Sequence, residues 1–234
     1  MTVKHITAVI AYRDRISNIE YCLYSMNSCN PPPLCILVDY GSMIGVKNFE
    51  NIFSWLSVIR VNVSGRFNKA KALNIGINLV TTDYACLTDA DQIFQPNFFS
   101  VLLKNVGSNT FIKCKTNFSR SMPNFSPKNI DHIKYKNFLL QVKRNPQRDP
   151  HGEGCCQCLP TATLKKIGGH DERYEGWGYE DKDLEFRARN AGSNVMWVDH
   201  LTSMIHLPHV RNKTYFDHNL IRKNKKLFES KKVR

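Results

Sequence analysis

Short β-branched runs alternate with segments of helical period through residues 3–91, and few folds accept that order. Val3–Ala11 reads as a buried strand, and Arg15–Ser28 follows with Ile16, Ile19, Leu23 and Met26 at helical spacing. "NPPPL" ends that helix, because proline cannot continue it. "CILVDYGS" is a second strand that ends on Asp39 and a glycine turn. A weaker helix (Lys47–Leu56), a third strand (Val58–Val63) and a turn at Ser64–Gly65 come next. "FNKAKALNIGINLV" (67–80) sets Ala70, Leu73, Ile77 and Val80 on one helical face, and "YACLTDAD" returns as a fourth strand. Strand–helix alternation predicts right-handed βαβ units, hence an α/β domain whose mostly parallel sheet is covered on both faces. Ligands of such sheets sit outside the carboxyl ends of the strands. Asp39, Asp89 and Asp91 fall at those ends.

The second half is less regular. Residues 116–154 are rich in Asn, Ser, Pro and Gly around one apolar interval, Phe138–Val142, and read as a long, partly mobile insertion over the site. A helix (Thr161–Ile167), a Gly-Gly turn, a helix from about Glu180 to Ala191 and a strand (Asn194–Val198) are expected after it. The tail, 211–234, is basic, with Leu220, Ile221, Leu227 and Phe228 at amphipathic spacing. No internal repeat or linker divides the chain. The expected plan is one domain over 1–210, with a nucleotide-binding half (1–115), the insertion, an acceptor half (155–210) and the tail.

A net charge of +13 implies an anionic partner. No stretch reaches the roughly 20 apolar residues of a membrane span, and the N-terminal run has no small-residue cleavage site. The eight cysteines therefore read as reduced thiols and the protein as cytoplasmic. "CCQC" (155–158) holds one CxxC without a second pair at zinc spacing, so a buried thiol cluster is the reading.

Three constellations carry chemistry. Asp89 and Asp91 point to the same side of a strand end, where two like charges repel unless a cation lies between them or water surrounds them. Hard oxygen ligands in that place suit Mg2+ or Mn2+ shared with substrate phosphates. Arg13, Arg15, Arg66, Lys69 and Lys71 supply cations near the same edge, though each could equally be a solvated helix face. In "YEGWGYEDKD" (174–183), Gly176 and Gly178 bend the chain and present Trp177, a platform for a sugar face if exposed. Asp183–Arg187 and Glu185–Arg189 make i,i+4 pairs of structural kind. Glu180 and Asp181 lack such partners, and one of them is a candidate general base. In "MIHLPH" (204–209), His206 could complete a metal's coordination, with His209 in reserve.

In order, "AVIAYRDR", "FNKAKALNIG", "DAD", "IGGHDERYEGWGYEDKDLEFR" and "MIH" resemble the inverting GT-A glycosyltransferases of the β-1,4-galactosyltransferase and chondroitin-polymerase type. The resemblance implies a GT-A fold and a UDP-sugar donor. Tyr12, Arg13, Arg15 and Asp39 would contact the nucleotide, and Phe67, Asn68 and Lys69 would line the uridine pocket. Asp89 would approach the ribose or donor sugar, while Asp91 and His206 would hold Mn2+ (or Mg2+) against the diphosphate. Trp177 would stack on a glycan or lipid-linked acceptor, Glu180 would hold sugar hydroxyls and Asp181 would be the base. Three departures stand out: Tyr179 occupies the place of a glycine, Lys182 interrupts an acidic run, and the histidine spacing leaves His206 and His209 both open. Tyr179 thereby becomes a candidate acceptor contact. No anchor or stem is expected before the domain.

Rival readings follow from the same residues. One is a retaining transferase of the polypeptide N-acetylgalactosaminyltransferase type. Another, motivated by charge, is a basic nucleic-acid-binding protein, but no recognition helix, RNP or zinc-finger pattern occurs and no nucleic-acid partner is expected. A sugar-nucleotide-forming nucleotidyltransferase would carry a glycine-rich loop after the first strand, and "AYRDR" has none. The basic tail invites peripheral contact with anionic lipid.

Overall fold

The computed structural model describes residues 5–46, 48–148, 150–152, 154–210 and 217–232. Val3, Lys4 and Lys47, which begin two expected elements, and residues 211–216 and 233–234 of the tail lie outside that set.

The first half builds as its periodicity predicts. Strands β1 (Ile6–Tyr12), β2 (Leu34–Tyr40), β3 (Leu56–Val61) and β4 (Tyr84–Asp89) are parallel, with helices α1 (Ile16–Asn27) and α2 (Lys69–Leu79) between them. Alternate residues of β1 enter opposite cores. Ala8, Ile10 and Tyr12 join Leu23, Met26, Phe94 and Phe98 on one face, and Val9 joins Leu73, Ile77 and Leu87 on the other. Helix α2 lies so close to the sheet that a Cβ at Gly76 would stand 2.4 Å from Val9 Cγ1. The expected helix at 47–56 is instead a 3-10 turn, Phe49–Asn51. Asn48, Asn51 and Ser54 favour turns, and Glu50 accepts the Val58 backbone N–H (2.8 Å), tying the segment to β3.

The sheet continues through β8 (Cys156–Pro160), β6 (Thr110–Lys113) and β9 (Asn194–Trp197), in the order β3-β2-β1-β4-β8-β6-β9, and β8 alone is antiparallel to its neighbours. A small second sheet sets β5 (Gln92–Phe94) and β7 (Thr116–Phe118) on either side of β10 (Met204–His206). Between β5 and β6 runs α3 (Phe98–Asn105), and α5 (Thr161–Lys166) and α6 (Glu180–Asn190) complete the cover.

The stretch read as an irregular insertion, 116–154, is in good part structured. It contributes β7 and a helix, α4 (His132–Arg144), capped by Asp131, whose Oδ1 accepts from Lys134 N–H (2.8 Å). Tyr135, Phe138 and Val142 are buried against Ile93, Ile205 and Leu207 of the small-sheet region. Sequence reading underrated α4 because its apolar residues do not follow one stripe: Ile133 and Leu140 are exposed and only Tyr135, Phe138 and Val142 are buried. All eight cysteines are free and buried, as expected for a thiol cluster. Among the described residues no helix is long and apolar enough to cross a membrane.

The tail forms α7 (His218–Lys232). Its apolar side faces the protein: Phe228 is buried beside Tyr179 and Phe186, and Leu220, Ile221 and Leu227 are partly covered. The amphipathic pattern thus serves internal packing, and peripheral lipid contact through this face finds no support.

Candidate active site

The carboxyl ends of β1, β2 and β4 meet where the strand order reverses, and the register places Tyr12 beside Asp39 and Ala11 beside Asp89. Tyr12 is buried, and burial pushes its phenol up to about 12. Asp14 follows in the left-handed region (φ 51°). Arg15, at the N-cap of α1, reaches across to Asp91 Oδ2 at 2.6 Å. Arg13 instead donates to Gly65 O (2.7 Å) at the rim.

Asp39 is fully buried and turned to the following loop, accepting from Ser42 N–H (3.1 Å) and Val46 N–H (3.4 Å), with Arg60 at 3.5 Å. It shapes the loop beside the cleft. Phe67 meets Tyr40 edge-on, and Asn68 caps α2 through Lys71 N–H (2.9 Å) while donating to Glu172 O (3.3 Å). Arg66 and Lys71 are exposed.

Two charge centres lie side by side. In the first, Lys69 Nζ, at the start of α2, stands 2.9 Å from Asp89 and 3.5 Å from Asp181. Burial opposes ionisation of Asp89, but Lys69 outweighs it and holds that carboxyl below its usual range. Asp181 goes the other way: burial raises it, Lys69 opposes and the Asp89 charge adds to the rise. Neighbouring Glu180 is 4% exposed with its Oε2 unpartnered, and burial, then the Asp181 charge, lift it to about 8. Burial thus favours the protonated, neutral form of Glu180. In the second centre, Asp91 (1% exposed) has His206 Nε2 at 3.3 Å and His209 Nε2 at 3.4 Å. These three residues offer ligand atoms within 4.8 Å of one another. Asp91 Oδ1, the oxygen 3.3 Å from His206 Nε2, is buried and accepts no hydrogen bond, as suits an atom that shares a cation with that imidazole. The donor set, one carboxylate and two imidazoles, fits Mn2+ and admits both histidines left open by the sequence.

The centres share one neighbourhood. Asp89, at the end of β4, pairs through Lys69 with Asp181 and stands two residues before Asp91 in the chain. Trp177, two residues before Tyr179 (φ 73°) and four before Asp181, is 45% exposed. The expected pairs of α6 are present, Asp183–Arg187 at 2.7 Å and Glu185–Arg189 at 2.8 Å.

Sequence reading missed three supports. Lys69, expected to line the uridine pocket, also bridges two carboxylates, which its sequence context did not show. Gln157 donates to Asp181 O (3.2 Å), and Gly154 abuts the Asp181 carboxylate so closely that its missing Cβ would fall 1.8 Å from Oδ2. A glycine before "CCQC" was the only sign. A separate cavity of about 390 Å³, lined by Asn137, Leu140, Gln141, Arg144 and Asn145, offers neither a carboxylate nor a histidine and is no rival.

The model of the family described as "Glycosyltransferase like family 2" matches residues 35–225. Among solved structures, the chain is similar to the mannosyltransferase PcManGT from Pyrobaculum calidifontis in complex with GDP-Man and Mn2+. That match has 15% identity and a TM-score of 0.60, over 90% of this chain and 58% of that one. It is similar to S. aureus TarS 1-349 in complex with UDP-GlcNAc, at 12% identity and a TM-score of 0.67, over 96% and 65%. It is also similar to GalNAc-T7 with UDP, GalNAc and Mn2+, at 12% identity and a TM-score of 0.61, over 89% and 44%. The chain thus spans less than two thirds of each of these proteins, and at such identities the likeness is one of GT-A fold.

Proposed function

The chain belongs to the glycosyltransferase family 2-like proteins, and from that premise we propose that it moves a hexose or N-acetylhexosamine from a UDP-sugar to a hydroxyl of a glycan or glycolipid, with inversion and with a divalent metal. The observation that carries the reading is the pair of adjoining centres: a carboxylate with two imidazoles on one side, and a separate carboxylate with a raised pKa on the other.

Asp91, His206 and His209 would hold Mn2+ or Mg2+, which supplies positive charge to the departing diphosphate. Arg13 and Arg15 stand on the same edge, and Tyr12, Asp39, Phe67 and Asn68 shape the nucleotide side. Lys69 keeps Asp89 ionised toward the donor sugar. Trp177 and Tyr179 receive the acceptor, and neutral Glu180 donates a hydrogen bond to a sugar oxygen. Asp181 takes the proton of the acceptor hydroxyl, and burial makes it a stronger base than an exposed aspartate. The acceptor oxygen then bonds to the anomeric carbon as the bond to the diphosphate oxygen breaks on the opposite face, inverting the configuration.

UDP release from UDP-Gal, UDP-GalNAc, UDP-Glc and UDP-GlcNAc with Mn2+ identifies the donor. Asp181→Asn is expected to lower transfer on the order of 10²–10⁴-fold with UDP affinity retained. Turnover near the wild-type rate would remove Asp181 as base. NMR of the product's anomeric configuration separates this mechanism from a retaining one.

A further inference from the structure

The C-terminal helix has so far been only cover, yet one of its faces grips the acceptor side of the site at three places. Asn224 is fully buried, and its Nδ2 donates to Glu175 O (2.9 Å) and Gly178 O (3.1 Å), on either side of Trp177. Its Oδ1 has no partner, so both donors, and nothing else, are what this amide contributes. Four residues on, the Phe228 ring packs 5.8 Å from Tyr179 and 6.1 Å from Phe186. Three further on, Lys231 Nζ pairs with Asp171 (2.7 Å) and with Asp183, which also accepts from Arg187 (2.7 Å) and Tyr174 (3.1 Å). Positions 224, 228 and 231 form one helical stripe.

What that stripe holds needs holding. Gly176 (φ 67°), Gly178 (φ 103°) and Tyr179 (φ 73°) place three of four consecutive residues in the left-handed region. In such a turn the carbonyls find no helix or strand partner, and a tyrosine at positive φ is strained unless its surroundings fix it. Tyr179 is also the residue before Glu180 and Asp181, so the turn's conformation sets where α6 begins.

We propose that Asn224, through the carbonyls of Glu175 and Gly178, is a positioning residue that sets Trp177, Tyr179 and the first turn of α6, making the C-terminal helix a working part of the transferase. This rests on the reading of Asp181 as base for its kinetic arm alone. The helix acts by fixing the turn, and Asn224 itself touches no substrate.

The test uses the full chain. In Asn224→Ala and Asn224→Asp, amide exchange over 174–181 is expected to quicken about tenfold, while exchange in β1 and β4 and the affinity for UDP with Mn2+ stay at wild-type values. Asp is the sharper variant, because it keeps the shape but sets a carboxylate against two carbonyls. Turnover is expected to fall about tenfold with the donor KM unchanged, and Asn224→Gln, which keeps the amide, to recover part of it. Wild-type exchange over 174–181 in Asn224→Asp would overturn the proposal, whatever the activity. So would exchange that quickens equally in β1 and β4, since Asn224 would then merely hold the fold. Quickened exchange with unaltered turnover would leave Asn224 holding the turn and refute its role in transfer.

Discussion

Gly154→Ala tests the position of the base without touching it. A Cβ built on Gly154 stands 1.8 Å from Asp181 Oδ2, 2.2 Å from Cγ and 2.6 Å from Oδ1, so the whole carboxylate occupies the space of a methyl group. To reach an ordinary contact of about 3.4 Å, Oδ2 must retreat by about 1.6 Å. The Asp181 backbone cannot follow freely, because Gln157 holds its carbonyl at 3.2 Å, so the side chain rotates and leaves Lys69 as well. A misplacement of about 1 Å costs about 10²-fold in rate, or about 2.7 kcal/mol of barrier. We therefore expect kcat to fall about 10²-fold or more, with donor KM and Mn2+ affinity unchanged. The displaced atoms belong to a flexible side chain, so the unfolding midpoint should move little. UDP release under saturating donor reads the rate, and thermal unfolding reads the fold. In an Asp181→Asn background the added alanine should cost less than about threefold, since the two changes act on one group. A folded Gly154→Ala protein with wild-type kcat would refute the placement of the base.

Asp91→Asn removes the anionic donor between two histidines, and Mn2+ affinity, read by the EPR signal of free Mn2+ in the presence of UDP, should drop about 10²-fold or more, at least as much as losing an outer-shell partner costs; unchanged affinity would exclude Asp91 as a ligand. Glu180 is held up to about 8 against an ordinary 4.5, so the folded protein keeps a proton that the unfolded chain releases. Its contribution to stability is therefore greatest below about 4.5, declines as pH rises through about 8 and is level above. Glu180→Gln should flatten that decline in urea midpoints taken between these limits, and parallel curves for the two proteins would disprove a buried neutral acid.

Local patterns were readable where one element carried the whole signal. The stripe Ala70–Leu73–Ile77, the pairs Asp183–Arg187 and Glu185–Arg189, and the carboxylates at the end of "YACLTDAD" each need only their own strand or helix. The strands β5, β7 and β10, three residues apiece, are too short to show a period. The helix α4 blurs its three-residue buried stripe with exposed apolar residues, Ile133 and Leu140. Where a weaker helix was expected, Phe49 stacks on Phe53, which in turn lies tilted against Trp55.

The amino-acid order alone dictated a doubly covered α/β sheet, because alternation of period is a property of the chain itself. It also placed acids at strand ends, where any such sheet binds its ligand. Only tertiary structure could bring His206 and His209 to Asp91, Lys69 between Asp89 and Asp181, Gly154 against the Asp181 carboxylate, and Asn224 against the turn at Trp177. Those partners are separated by tens to more than a hundred residues, and no local spacing encodes a contact that the packing of two sheets creates.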